Sequence, residues 1–579
     1  MATEGHPVTL HIGSRRSDLA RLQTLMVADL LEQEMDDVKI ECHYREAPGD
    51  ANLKDPLWKM PETGVFTTFL RDGLLDGSFD LVVHSWKDLP LAEEPGTTVA
   101  STLPRADPRD MIIIRKDALP EIAANGGTLI VLSSSPRRQF NLTPFLNTVV
   151  PGVSTVQFRD VRGNIQTRMR KLMDPEMHDD TLGPRPHGLV LAKAAVDRFV
   201  RSTKDEFKES RELVKGFVAS CYCMVLPLSS NPTAAAQGAL GIEVSTAPEK
   251  EYVRKMVKVL NDRSTFDAAW KEKEILNSTR AVKHVEGRSS SSCFVDDIDK
   301  IGCTILPRSY GTVTFLCGRT HAGLDLLDRR ITPKNALLDD LRLKEGDPAP
   351  LQVGGAGGMS LFEREVVKDA GEKLMGMLRD GGQEFGLWIS KASALPSSPD
   401  KLIETINSMG IPVWVAGTTS WKQLAKKGLW CTGSADSLGV QEDPDLSALA
   451  PKLKRWVKVT HCDAAEKQHA TAAFGEAVRM DALGTYTLKP KYSVESCPAD
   501  LKTATHIFWG SGSAFSEARR LATGLVDRVK VHGCGPGHTY EALRGAGIPE
   551  ERITVCLNFS EFCDRVGGGE HSMRKKQKT

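Results

Sequence analysis

The segment His84-Ser85-Trp86-Lys87-Asp88-Leu89-Pro90 follows the apolar run Leu81-Val82-Val83. A strand predicted there delivers an imidazole, a hydroxyl, an ammonium and a carboxylate to one turn, which Pro90 closes. A carboxylate so placed can act as acid, base or electrostatic partner of a developing cation, and the ammonium can hold an anion. Taken alone, Asp88 and Lys87 read as a local ion pair of the turn. Three other strand ends carry Gly13-Ser14-Arg15-Arg16-Ser17, Ser133-Ser134-Ser135-Pro136-Arg137-Arg138, and Arg159-Asp160-Val161-Arg162-Gly163-Asn164 with Thr167-Arg168. Any one of these arginines reads as solvated surface. Three such groups together point to an anionic ligand, because hydroxyls, helix N-termini and guanidinium forks all bind carboxylate or phosphate. No aromatic residues interleave with the arginines, which opposes nucleic acid as that ligand.

The elements that must position these groups alternate. Short β-rich runs (Val8–Ile12, Leu81–Val83, Met111–Ile114, Leu129–Leu132, Gly188–Leu191) are separated by helical patterns such as Leu19–Leu31. That alternation predicts an α/β fold, in which ligands sit at the carboxyl ends of strands. A second cycle runs through Gly386–Ile389, Val413–Val415, Val457–Val459, Ile507–Trp509 and Val529–Val531. Between the cycles, Asp347 to Gly358 is rich in Pro and Gly and reads as a linker. A helix is expected over Leu361–Leu378, with the main boundary near residue 384.

The 579 residues fit about four domains. The 75 basic and 75 acidic residues leave no net charge, which excludes a globally basic nucleic-acid binder. No apolar run is long enough to span a membrane, and no signal peptide is evident at the start. The 12 cysteines form no C-x-x-C pairs, so no metal site is expected and reduced thiols in the cytoplasm are. The basic run in 567–579 reads as a solvated tail.

The motifs His11-to-Gln23, Gly64-Val65-Phe66, His84-to-Pro90, Arg105-to-Asp110, Ser133-to-Gln139, Arg159-to-Arg168 and Ala234-to-Glu243 together resemble porphobilinogen deaminase, or hydroxymethylbilane synthase, over about residues 8–384. The resemblance implies two periplasmic-binding-protein-like domains and a small α/β domain. These would be domain 1 over 8–110, completed by about 205–243, domain 2 over 111–204, and a cofactor-carrying domain 3 over 244–384. It implies a transferase that joins four porphobilinogen units head to tail, releasing ammonia, to give hydroxymethylbilane, and works as a monomer. It also assigns roles. Asp88 falls on the catalytic aspartate; Arg15, Arg137, Arg138, Arg162, Arg168 and Arg198 fall on arginines that bind substrate and cofactor. Ser85, Lys87, Ser133, Ser134 and Ser135 fall on neighbouring binding positions. Every pyrrole unit carries acetate and propionate, so an arginine-rich cleft suits it.

The family holds a dipyrromethane cofactor by a thioether to a cysteine. The corresponding loop here, Val285-Glu286-Gly287-Arg288-Ser289-Ser290-Ser291-Ser292-Cys293-Phe294, is longer than the family's. The cysteine position falls on Ser289 from one end and on Asp297 from the other. A thioether needs sulfur, so Cys293 is the expected attachment residue, with Cys303 an outside candidate. Glu62-Thr63-Gly64 lacks a lysine usual in the family, and Leu132 replaces a usual glycine.

In the second half, Trp509-Gly510-Ser511-Gly512-Ser513 and Gly533-Cys534-Gly535-Pro536-Gly537-His538-Thr539 follow strands. Such turns can bring backbone N–H groups to an anion or simply be tight. With Phe385-to-Lys391, Ala416-to-Thr419 and Ala482-to-Leu488, they resemble uroporphyrinogen-III synthase over about 385–566. This implies a two-lobed α/β module, a lyase closing hydroxymethylbilane into a ring. Tyr486, Ser511, Gly512, Ser513 and Thr539 would face its substrate. Two alternatives stay open: an active deaminase with a degenerate second module, and a noncatalytic tetrapyrrole- or anion-binding protein.

Overall fold

The computed structural model describes residues 8–46, 67–174, 184–281, 300–319, 325–396, 399–440, 442–467, 471–474 and 478–567. Two compact units divide the chain. One comprises Met1–Leu306 and Phe315–Asp328, the other Pro307–Thr314 and Arg329–Thr579.

The first unit is built on two five-stranded sheets. One takes β1 (Val8–Arg15), β2 (Val38–Arg45), β3 (Leu81–Ser85) and β4 (Thr97–Ser101); the other takes β5 (Asp110–Arg115), β6 (Thr128–Leu132), β7 (Thr155–Arg159), β8 (Gly188–Ala192) and β9 (Cys221–Val225). The chain then returns to the first sheet as β10 (Leu240–Ser245). The orders are β2-β1-β3-β10-β4 and β7-β6-β8-β5-β9. In each, three parallel strands are followed by two antiparallel pairings. Strand β5 is buried along its whole length, as a central strand covered on both faces must be. Helix α1 (Asp18–Glu34) lays Val27, Ala28 and Leu31 on a core with Leu10, Ile12, Leu81 and Val83.

Helix α2 (Pro136–Val149) starts with Ser135 as N-cap, its hydroxyl accepting from the Arg138 N–H, and Pro at the first position. Helix α3 (Ile165–Met173) starts with Asn164 capping the Thr167 N–H. Helix α4 covers Arg263–Ala281. Two segments, 102–109 and 226–239, carry the chain from sheet to sheet, and they bond to each other: Arg105 Nε donates to Gln237 O at 2.9 Å and Gln237 Nε2 to Pro108 O at 2.7 Å.

The second unit also holds two sheets. One is all parallel, with Leu351–Val353, His506–Trp509, Val531–Cys534 and Ile553–Val555 in that spatial order. The other orders Phe362–Val366, Val478–Pro490, Arg455–His461, Phe385–Ile389, Val413–Val415 and Gly433–Ser434. Trp388, Trp414, Trp421 and Trp456 fill its core. Helices α5 (Gly512–Leu521) and α6 (His538–Gly545) follow strands of the first of these sheets.

The structure corrects three expectations. The units do not divide near residue 384, because Leu351–Val353 pairs with Ile507–Trp509 and Phe362–Val366 pairs antiparallel with Tyr486–Pro490. The linker read at 347–358 therefore contains a strand, too short to show among its glycines. The expected helix over Leu361–Leu378 is a strand followed by a helix at Ala370–Gly381. Phe-Glu-Arg-Glu-Val has helix-forming residues, but pairing to a neighbouring strand overrides that preference. Lastly, the return from domain 2 comes after residue 225, not 204, since β9 pairs with β5 throughout.

Candidate functional site

Strands β1, β3, β6 and β7 all point their carboxyl ends at the sequence-singled groups. At the end of β3, Trp86–Asp88 forms a single 3-10 turn whose Trp86 is buried and whose Asp88 carboxylate keeps 35% exposure. Arg15, ending β1, places Nη1 3.8 Å from Asp88 Oδ2. Ser85 donates to Gln23 Oε1 at 3.0 Å and Lys87 to Gln237 Oε1 at 3.2 Å. Burial pushes the Lys87 ammonium down to about 8, the charges of Arg138 and Arg137 adding to it while Asp88 and Asp110 oppose it. Arg168 is brought down to about 10 by burial, then by the charges of Arg138 and Arg162; Asp88 again acts the other way. Asp88, Arg15, Lys87, Arg138, Arg162 and Arg168 thus share one electrostatic neighbourhood.

The arginine pair is held from beneath. Asp110 is fully buried and accepts from Arg138 Nη2 at 2.6 Å, Arg138 Nε at 3.1 Å and Arg137 Nη2 at 2.9 Å. Asn231 Nδ2 and Gln237 Nε2 complete the set at 2.9 and 2.8 Å. Burial raises the Asp110 carboxyl, but the two guanidinium charges and these hydrogen bonds outweigh it and hold it far below its ordinary range. Asp110 therefore fixes where Arg137 and Arg138 stand. The three serines have structural partners. Ser133 Oγ accepts from the Ser135 N–H, Ser134 Oγ bridges Val161 O and Val161 N at 2.7 Å each, and Ser135 caps α2.

Arg198 donates to Gly238 O at 2.7 Å and lines a separate cavity of about 330 Å³ with Leu22, Met26 and Lys204, without Asp88. Cys293, Ser289, Asp297 and the Gly64-Val65-Phe66 motif lie outside the described residues. Cys303 is fully buried, and burial pushes its thiol well above the ordinary range, which makes it a poor nucleophile.

Asp110, Gln237 and Lys273 were not singled out as site residues, although two lie in motifs that carried the resemblance. Lys273, on α4, donates to Leu89 O at 2.7 Å and is brought down to about 8 by burial, with Asp88 opposing. A lysine in mid-helix gives no sequence signal of bonding a residue 184 positions earlier.

In the second unit, Ser511 caps α5 and its hydroxyl accepts from the Ala514 N–H. Ser513 Oγ is 3.4 Å from His461 Nε2, and the His461 ring is 5.9 Å from that of Tyr486. A Cβ on Gly512 would lie 3.5 Å from His538 O and 3.9 Å from the Cα of Thr539. Tyr486 is 5% exposed with Arg364 over its ring at 4.2 Å; burial raises its phenol. The structure adds Lys458, 5% exposed, whose Nζ is 3.5 Å from His538 Nε2 and whose pKa burial lowers to about 8.

Residues 10–252 match the family model described as porphobilinogen deaminase, dipyromethane cofactor binding domain. Porphobilinogen deaminase of Syntrophomonas wolfei is 31% identical over 46% of this chain and 76% of its own length. The chain belongs to the porphobilinogen deaminase family. The deaminases of Desulfitobacterium hafniense, 33% identical over 46% of this chain and 75% of theirs, and of Clostridioides difficile, 30% over 50% and 85%, agree. These family members cover about half of this chain, and the second unit lies largely beyond them. Among the described residues no helix is long and apolar enough to cross a membrane.

Proposed function

We propose that the first unit condenses porphobilinogen to the linear tetrapyrrole hydroxymethylbilane, with release of ammonia, and that the second closes this product to uroporphyrinogen III. The observation that carries the first reading is one accessible carboxylate, Asp88, set among Arg15, Lys87, Arg162 and Arg168 at converging strand ends. The cations suit the acetate and propionate groups of each pyrrole. Asp88 suits the one place where positive charge develops, on the pyrrole that loses ammonia. The same cations fit a dipyrromethane, itself a polycarboxylate. Arg15, Arg162 and Arg168, with Arg137 and Arg138 as Asp110 orients them, would hold it, and Cys293 remains our attachment residue. When bound, that group supplies the primer on which the chain grows. Asp88→Ala should fold normally and lose turnover; substantial remaining turnover would refute its role.

Three things support the second reading: two sheets in the second unit, the two small-residue turns close together at Gly512 and Thr539, and His461 within 3.4 Å of Ser513 and 5.9 Å, ring to ring, of Tyr486. Tyr486, with a raised pKa, acts there as a hydrogen-bond donor. The test is to supply porphobilinogen alone and separate the oxidised products by chromatography. Isomer III is expected, and isomer I alone would reduce the protein to its first activity. We place the protein in the cytoplasm, acting as a monomer without nucleic acid. The described cysteines are all free thiols, and the cations would suit a small polycarboxylate.

A further inference from the structure

At the edge of the first sheet, β1 and β2 run parallel with His11 opposite Glu41 and Gly13 opposite His43. The two-residue period of a strand puts Glu41 and His43 on one face. Cys42, between them, faces the other way and packs on the core of Leu10 and Ile12. His11 Nδ1 and His43 Nε2 are 3.0 Å apart, and Glu41 Oε2 lies 3.8 Å from His11 Nδ1. The three potential ligand atoms all fall within 4.8 Å of one another.

The residues are oriented by neighbours. Lys39 Nζ takes the other Glu41 oxygen, Oε1, at 2.8 Å, so Oε2 is left toward the imidazoles. The His11 backbone N–H donates to Asp80 Oδ2 at 2.9 Å, which anchors the strand that carries the imidazole, and Lys250 holds Asp80 at 2.7 Å. The His43 ring lies 5.9 Å from that of Phe79. A hydrogen-bonded partner such as Lys39 fixes the orientation of a ligating carboxylate in metal sites. Two imidazole nitrogens at 3.0 Å share a proton or a cation. The His11 and Glu41 side chains keep 41% and 43% exposure, so an ion can enter and water can fill its remaining positions.

We propose that His11, Glu41 and His43 bind a divalent transition-metal ion, with zinc the ion of choice. Two imidazoles and one carboxylate suit that borderline ion. The site is separate from the Asp88 cluster, and a bound ion clamps the edge strand β2 to β1. The 30-residue gap between His11 and Glu41 hides it from any search for short metal-ligand spacings.

Zinc chloride titrated calorimetrically into the full-length protein tests this, with His43→Ala and Glu41→Gln measured alongside. Zinc binding to thiols is common to all three proteins, so the difference between isotherms reports this site. His43→Ala is expected to weaken it at least about 10-fold, the lower end of what even outer-shell partners contribute. Zinc should raise the unfolding temperature of the unsubstituted protein more than that of either variant. Superimposable isotherms for all three proteins, or no zinc uptake, would overturn the proposal.

Discussion

Asp110 shows how a single buried carboxylate sets the geometry of a binding cluster. It lies beneath Arg137 and Arg138 and takes five hydrogen bonds, counting those of Asn231 and Gln237. Asp110→Asn keeps the shape but leaves two half-satisfied guanidinium groups in a dry site. The expected loss is about 3–5 kcal/mol of stability, read by urea unfolding, because breaking a buried pair strands its partner. Lys87 leads to a prediction about pH. Burial brings its ammonium to about 8, so it is charged below that pH and loses its charge above it. The KM for porphobilinogen should therefore rise above pH 8. In Lys87→Arg, whose guanidinium stays charged, the rise should be much smaller; an unchanged profile would remove Lys87 from substrate binding. The strand-end positions of Asp88, Lys87, Arg15, Arg162 and Arg168 were legible in the sequence, because each follows an apolar run; Arg198, grouped with them by the resemblance, sits on a helix and lines another cavity. Asp110 was not legible, because an aspartate opening an apolar run looks like a strand boundary rather than a hub.

At the scale of elements, two acidic residues act as staples. Glu272 on α4 grips Arg105 through both oxygens, at 2.6 and 2.9 Å, and also accepts from the Ala236 and Ile305 N–H groups. Glu243 on β10 takes Arg71 at 2.6 Å, His84 at 2.9 Å and Thr97 at 2.7 Å. Burial raises the Glu243 carboxyl, but His84 and Arg71 more than offset this and bring it down to about 2 from 4.5. A carboxyl lowered on folding adds stability that is complete above its unfolded value and is lost as pH falls toward the folded one. The shift corresponds to about 3 kcal/mol. Glu243→Gln should accordingly be less stable than the unsubstituted protein at pH 6, and the gap should close as pH falls from about 4.5 to 2. A gap independent of pH would mean that packing, not charge, holds β10 to β3. The crossing segments meet at Gly238, whose φ is +91° and where a Cβ would sit 2.4 Å from Ala106 O. Strand and helix positions along this unit followed the sequence closely, since apolar period and caps are local. The Arg105–Glu272 pair and the three Glu243 contacts join residues over 100 apart in sequence, and no local pattern reports them.

At the scale of the whole chain, the division into units is where sequence reading failed, and the reason is physical. Glycine and proline between residues 347 and 358 look like a linker, and the boundary is expected near residue 384. Yet Leu337, Leu341 and Leu343 pack on Phe508, Val531, Phe562 and Val566, and the Leu343 N–H donates to Val566 O at 3.0 Å. His506 Nε2 lies 2.8 Å from Leu341 O, and Lys530 pairs with Asp347 at 2.9 Å. Strands Leu351–Val353 and Phe362–Val366 then cover one edge of each sheet. A fragment starting at residue 385 loses all of this, exposing two sheet edges and an apolar face, which invites association. Full burial of a leucine contributes roughly 1.5–3 kcal/mol, so even partial loss of three is comparable with the stability of a domain. We expect residues 329–579 to unfold cooperatively in urea and to run as a single species by size exclusion. Residues 385–579 should show a broad, early transition and aggregate. Equal midpoints for the two fragments would return the boundary to residue 384 and make the intervening segment the linker that its composition suggests.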